Sequence, residues 1–198
     1  MILQNFPIKI KKTEALFLQH IMSYLKQNGK GAVIVPEGVL FRGGKEERIR
    51  KKMVEEFNLH TVVSLPAGVF LPYTAVKTNI VFFDNTHPTT DVWFYEMHHD
   101  GYELKPTRQP DPENDDIPDL LEKIEDKEES EQSWLVDIEE IAKNDYNLTA
   151  SRYNPNPGDD ENLADPEELL TELLSKEQMI TEELNNVLEQ LESGVDDE

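Results

Sequence analysis

An α/β fold with a mixed sheet is predicted by three features of the first 105 residues. Two helix-period amphipathic segments alternate with two short, continuous apolar runs, and each run is bounded by Gly or Pro. A third apolar run follows the second after a connection too short for a helical crossover, so it is expected to lie antiparallel to its neighbours.

The elements follow in order. Residues 13–27 place apolar groups at Phe17, Leu18, Ile21, Met22 and Leu25 behind a candidate N-cap, Thr13, and end at Asn28-Gly29. The run 31–36, Gly-Ala-Val-Ile-Val-Pro, is too short for a helix and reads as a strand covered on both faces. A loop through Gly38, Gly43 and Gly44 leads to a second helix over 45–57, with Ile49, Met53, Val54 and Phe57 inward. Strands are predicted at 59–65 and 79–84, an edge strand at 91–97, and a turn at 98–102.

Composition then changes. Residues 106–133 carry Pro106, Pro110, Pro112 and Pro118 among acidic residues and read as an acidic linker with one short helix at 117–124. Residues 134–160 are expected to hold a short helix over 134–142 and an aromatic-bearing loop. The final part, 161–198, contains the longest periodic stretch. Leu170, Leu184 and Leu191 share one heptad position and Leu173, Ile180 and Val187 the other, interrupted at Glu177, with Asp165 and Pro166 suited to start the helix. Such a face must be covered, either by the chain's own α/β body or by a partner helix.

Charge separates the same parts. Of 19 Lys+Arg and 41 Asp+Glu, residues 1–87 hold 12 and 7, whereas residues 88–198 hold 7 and 34. The first part suits a polyanion; the second suits solvation or a basic protein partner. There is no cysteine, which removes disulfides, thiolate metal sites and thiol catalysis, and fits a cytoplasmic setting. No run approaches the roughly 18 apolar residues that span a bilayer, so no membrane is expected.

Several motifs fail on spacing. In Gly38-Val39-Leu40-Phe41-Arg42-Gly43-Gly44-Lys45-Glu46 the lysine falls one residue late for a phosphate loop, and Glu46 replaces the hydroxyl that would bind magnesium. Gly29-Lys30-Gly31 lacks a third glycine and precedes a strand. His98 and His99 are adjacent and would point to opposite faces of a strand, so no metal site is expected. What survives is the pair of loops after the first two strands, 36–41 and 65–73, where open α/β folds bind ligands. Phe70 and Tyr73 lie between prolines in the second, followed by Lys77. They could stack a base and reach a phosphate, or the aromatics could simply cap the core.

Taken together, Thr13-Glu14-Ala15-Leu16-Phe17, Val35-Pro36-Glu37-Gly38-Val39-Leu40-Phe41, Leu65-Pro66-Ala67-Gly68-Val69-Phe70, Val76-Lys77-Thr78-Asn79-Ile80, Asp145-Tyr146-Asn147-Leu148 and Ser151-Arg152-Tyr153 resemble the modification subunit of type I restriction-modification systems. That family methylates N6 of adenine in DNA with S-adenosylmethionine. The resemblance implies an incomplete mixed sheet from the C-terminal half of a Rossmann-like methyltransferase (1–105), followed by the acidic linker and helical tail. In the family, a glycine-containing cofactor motif and an Asn-Pro-Pro-Phe/Tyr motif precede the Thr13-Glu14 helix, and neither occurs in this sequence.

The chain alone is therefore expected to be inactive and not to bind the cofactor. The resemblance further implies that Phe70 stacks on a flipped adenine, with Tyr73 and Lys77 as DNA contacts. It implies a specificity subunit on the C-terminal helix and admits a restriction subunit as a further partner. The isolated chain, with an unpaired edge at 31–36, is expected to form a homodimer. The competing reading is a non-enzymatic acidic interaction module on an α/β scaffold.

Overall fold

The computed structural model describes residues 6–156 together with Leu174, Glu177, Ile180 and Thr181. Packing divides the chain into two units, 1–156 and 157–198. In the first unit, helix α1 (Thr13–Tyr24) is followed by strand β1 (Lys30–Pro36), a single helical turn α2 (Gly38–Phe41), helix α3 (Lys45–Glu56), and strands β2 (Asn58–Ser64), β3 (Thr78–Asp84) and β4 (Asp91–Glu96). A hairpin of β5 (Asp100–Tyr102) and β6 (Pro110–Asp115) comes next, then α4 (Ile117–Lys123), β7 (Ser133–Asp137), α5 (Ile138–Lys143) and a 3₁₀ turn, Ala150–Tyr153.

The main sheet is mixed, in the order β1-β3-β2-β4-β7. As expected, β3 runs antiparallel to its neighbours: it lies between β1 and β2 and pairs antiparallel with both, while β2 and β4 pair in parallel. Period-2 alternation divides the core between two faces. Val35, Val62, Val81, Phe83 and Phe94 pack with residues of α1, α3 and α5, and Val63, Trp93 and Tyr95 pack with Leu120 of α4. The start of the chain is held by Gln19, whose buried amide accepts from the Ile8 N–H and donates to the Ile8 carbonyl, both at 3.1 Å.

Several expectations are corrected. Helix α1 ends at Tyr24 with Lys12 as its N-cap, and its buried face is Ala15, Leu18, Gln19 and Met22, so Phe17 is 64% exposed. Strand β1 is not covered on both faces. It is an edge strand whose Ala32 and Ile34 are exposed, because among the described residues no helix packs on that side of it. Strand β4 is not an edge, since β7 pairs with it through the register Phe94↔Trp134.

The segment read as a helix over 134–142 is therefore a strand followed by a helix. Asp137 makes the switch, its carboxylate accepting from the Glu139 N–H at 2.6 Å as the N-cap of α5. The acidic stretch contains strand β6 as well as the expected helix α4. The turn at 98–102 is clamped by Asp116, which accepts from the N–H groups of His98 and His99 at 2.7 and 2.9 Å, and then continues into β5. Of the six residues assigned to partner binding, only Ile180 is described, and it is helical and exposed; Leu170, Leu173, Leu184, Val187 and Leu191 lie outside the described residues.

Candidate functional site

Because β1 and β2 are both antiparallel to β3, and β2 is parallel to β4, the C-terminal ends Pro36, Ser64 and Glu96 share one edge of the sheet with the start of β3 at Thr78. That edge is where open α/β sheets present ligand sites. The loop between β2 and β3 rises from it, closed at its base by the Leu65 N–H donating to the Thr78 carbonyl at 3.0 Å. The loop is a succession of turns: Leu71 N–H donates to Gly68 O at 3.0 Å, Tyr73 N–H to Phe70 O at 2.9 Å, and Val76 N–H to the Thr74 hydroxyl at 3.1 Å. Gly68 has φ +93°, and a Cβ there would stand 3.1 Å from the Leu71 side chain and 3.7 Å from Leu104, so both the turn and the approach of the β5–β6 hairpin require glycine.

On this loop Phe70 is 36% exposed and Tyr73 93% exposed. Neither aromatic is in the core. Lys77, at the loop's C-terminal limb, stands between two carboxylates, 3.5 Å from Glu37 Oε1 and 3.6 Å from Glu96 Oε1. Asn154 Nδ2 donates to the other oxygen of Glu96 at 3.4 Å. The structure thus brings together the loops after β1 and β2, the end of β4 and the residue after the 3₁₀ turn. Sequence reasoning named Phe70, Tyr73 and Lys77 but missed Glu37, Glu96 and Asn154. The available signal was positional: Glu37 and Glu96 each stand at a strand terminus on the ligand edge.

Two further groups went unread. Asn79 is fully buried with neither amide atom hydrogen-bonded, and the neighbouring Thr78 hydroxyl is also buried and unpaired. Arg50, on the inward face of α3, is 1% exposed and donates to the carbonyls of Val39, Arg42, Asp145 and Tyr146. Burial lowers its pKa to about 10, against the opposing field of Glu47 and Glu46, and it remains a cation at neutral pH. A charged residue among Ile49, Met53 and Val54 was the sequence signal for it. Among the described residues no group of three or more His, Asp or Glu is placed to hold a metal, and no helix is long and apolar enough to cross a membrane.

The family model for N-6 DNA methylases matches residues 4–162. The chain belongs to the N-6 DNA methylase family. It is 38% identical over 194 residues to the methylase subunit of the Escherichia coli type I restriction enzyme EcoEI, a match that covers 93% of this chain and 39% of that subunit. Among solved structures, a type I modification subunit from Vibrio vulnificus is 36% identical with a TM-score of 0.64, covering 71% of this chain and 31% of that one. A type I methyltransferase subunit from Streptococcus thermophilus is 34% identical with a TM-score of 0.62, covering 72% and 30%. The chain therefore spans well under half the length of these relatives, and the shared region includes the loop edge just described.

Proposed function

We propose that these residues form the C-terminal part of a type I modification subunit that methylates N6 of adenine in DNA with S-adenosylmethionine, and that the loop between β2 and β3 forms one wall of the target-base pocket. The carrying observation is the stiff, turn-rich loop on the ligand edge of the sheet, with Phe70 at the boundary of solvent and Tyr73 beyond it. An adenine amino group paired in a duplex must leave the stack before it can react, and an aromatic face can hold the extruded base. Phe70 is assigned that stacking role and Tyr73 a contact to the flanking DNA.

S-adenosylmethionine does not fit the residues described here. The room beside the glycines of β1 and its flanks is filled by the protein itself: a Cβ on Gly31 would stand 3.0 Å from Phe83, and one on Gly29 2.8 Å from the Lys26 carbonyl. No open glycine cradle remains there, so the cofactor is assigned to the N-terminal part of the methyltransferase, and this chain alone is expected neither to bind it nor to methylate DNA. The C-terminal helix is assigned to the specificity subunit, and the isolated chain to a homodimer.

The test is Phe70→Ala in the complete enzyme. Loss of a stacking contact of about 1–3 kcal/mol lowers capture of the duplex target base by roughly 5- to 150-fold, with a smaller loss on a mismatched adenine that is already easier to extrude. Equal, undiminished rates on both substrates would remove Phe70 from the pocket.

A further inference from the structure

The sequence suggests Lys77 as a phosphate contact, but its surroundings are those of a group already occupied. One ammonium faces two carboxylates, Glu37 at 3.5 Å and Glu96 at 3.6 Å, and the three side chains are only 31%, 26% and 17% exposed. A phosphate approaching this triad meets a net negative cluster, and drawing the lysine away would leave two half-buried carboxylates without a counter-charge. The backbone reinforces the same junction. The Lys77 carbonyl accepts from the Glu37 N–H at 3.0 Å, and the next carbonyl, of Thr78, accepts from Leu65 at 3.0 Å.

We infer that Lys77 is a positioning residue. Held by Glu37 at the end of β1 and Glu96 at the end of β4, it fixes the C-terminal limb of the β2–β3 loop and thereby sets where Phe70 and Tyr73 stand, without touching DNA phosphate. The consequence for catalysis rests on reading that loop as the base-binding wall; the latch itself does not.

The two roles for Lys77 make opposite predictions for its partners. If it fixes the loop, a Glu37→Gln/Glu96→Gln double variant behaves like Lys77→Met. If it binds phosphate, releasing it from the carboxylates strengthens DNA binding. The experiment uses the assembled methyltransferase and two readouts: chymotryptic cleavage after Phe70 and Tyr73 mapped by mass spectrometry, and DNA affinity against salt concentration.

Expected for both variants is cleavage faster by about tenfold, as local opening of the loop becomes easier. Expected also are an unchanged salt slope, a lower kcat/KM, and partial rescue of cleavage and rate by Lys77→Arg. A fall of about 0.9 in the salt slope for Lys77→Met, the signature of one lost phosphate contact, overturns the inference. So does tighter DNA binding by the double variant, or unchanged cleavage in both. Full methylation by Phe70→Ala combined with faster cleavage of Lys77→Met overturns the base-wall reading and upholds the latch.

Discussion

Arg50 donates through Nε to the main-chain carbonyl of Tyr146 at 2.6 Å, joining α3 to a loop 96 positions further along the chain. Its other nitrogens reach Asp145 O at 3.2 Å, Val39 O at 3.0 Å and Arg42 O at 2.7 Å. Asp145 and Tyr146 have φ of +55° and +53°, a left-handed conformation that costs non-glycine residues about 1–2 kcal/mol each. The guanidinium captures the carbonyls that this conformation presents, and the Leu148 N–H donating to Leu40 O at 2.9 Å runs beside it. The fork is therefore what fastens the 145–154 segment, and with it Asn154, to the loop after β1.

Replacing Arg50 by Met keeps the length of the side chain but leaves these carbonyls without their donor. Stability should fall by about 3 kcal/mol, since hydrogen bonds to charged groups contribute roughly 1.5–3 kcal/mol and several are lost together. Lys should recover only part of this, because a single ammonium cannot span the four acceptors that the planar fork reaches. Urea midpoints of the three proteins measure it; equal midpoints for Arg and Met would show that water replaces the fork at no cost.

Asn79 raises the opposite expectation. Its amide is fully buried with both atoms unpaired. Such a group destabilises the chain by its lost hydration, about 1–3 kcal/mol, and an apolar substitute of similar size removes that penalty. Asn79→Val should thus raise the melting temperature of this chain. Position 79 pairs with Val35 and Ser64 beside the ligand edge, where proteins often retain destabilising polar groups for activity. The same variant should therefore slow methylation in the complete enzyme. A more stable and fully active enzyme would place Asn79 outside the site.

Tyr153 gives a pH signature. Its hydroxyl donates to the Asn147 carbonyl at 2.6 Å, its ring packs on Phe94 with centroids 5.4 Å apart, and burial pushes its pKa up to about 12 from the ordinary 10, Arg152 opposing. The folded state thus holds the phenol proton more tightly than the unfolded state does. This contribution to stability is fully present below pH 10 and is lost as pH rises through 12. Tyr153→Phe lacks both the phenol and the bond to Asn147, so it should be less stable at neutral pH and should lose less between pH 10 and 12. Parallel curves for the two proteins over that interval would show that the phenol ionises without unfolding cost.

How much of this could be read in advance depended on the range of the interaction. Helices α1 and α3 and strands β1, β2 and β3 were legible because their apolar periods are local and their ends carry Gly, Pro or Asn. The fifth strand was not: Trp134, Leu135 and Val136 followed by Ile138 and Ile141 satisfy helical spacing as well as alternation. The decision belongs to β4, which pairs with them, and to Asp137, which starts a new helix. Strand β6, with two prolines and three acidic residues among six, has no strand propensity at all. It exists by pairing with β5, whose Asp100 is bound by Arg108 across the hairpin. Phe70 and Tyr73 were legible as aromatics between prolines. The Glu37–Lys77–Glu96 contacts were not, because three segments meet there only after the sheet has formed.

The two edges of the sheet differ in a way that predicts assembly. At β7 the outward groups are already satisfied: the Leu135 N–H donates to Glu129 Oε1 at 3.0 Å, and Ser133 exchanges hydrogen bonds with Ser130 at 2.8 and 3.4 Å. At the other edge, β1 pairs only with β3. The Glu37 N–H donates inward to Lys77 O and Asn85 donates to Gly29 O, so the alternation of an antiparallel ladder turns the N–H groups of Lys30, Ala32 and Ile34 outward. Ile34 beside them is 52% exposed. A blunted edge and a bare one on the same sheet mark the bare one as a pairing surface. The isolated chain should therefore dimerise through β1. The net charge of −22 opposes association, yet screening over roughly 8 Å at physiological salt limits that repulsion where the acidic segments lie apart. Ala32→Pro provides the control, because it removes an outward N–H while leaving the ladder to β3 intact. Light scattering should find a dimer that strengthens with salt for the unmodified chain and a folded monomer for Ala32→Pro; a monomer for both, up to high protein concentration, would mean that the β1 edge is covered within the chain itself.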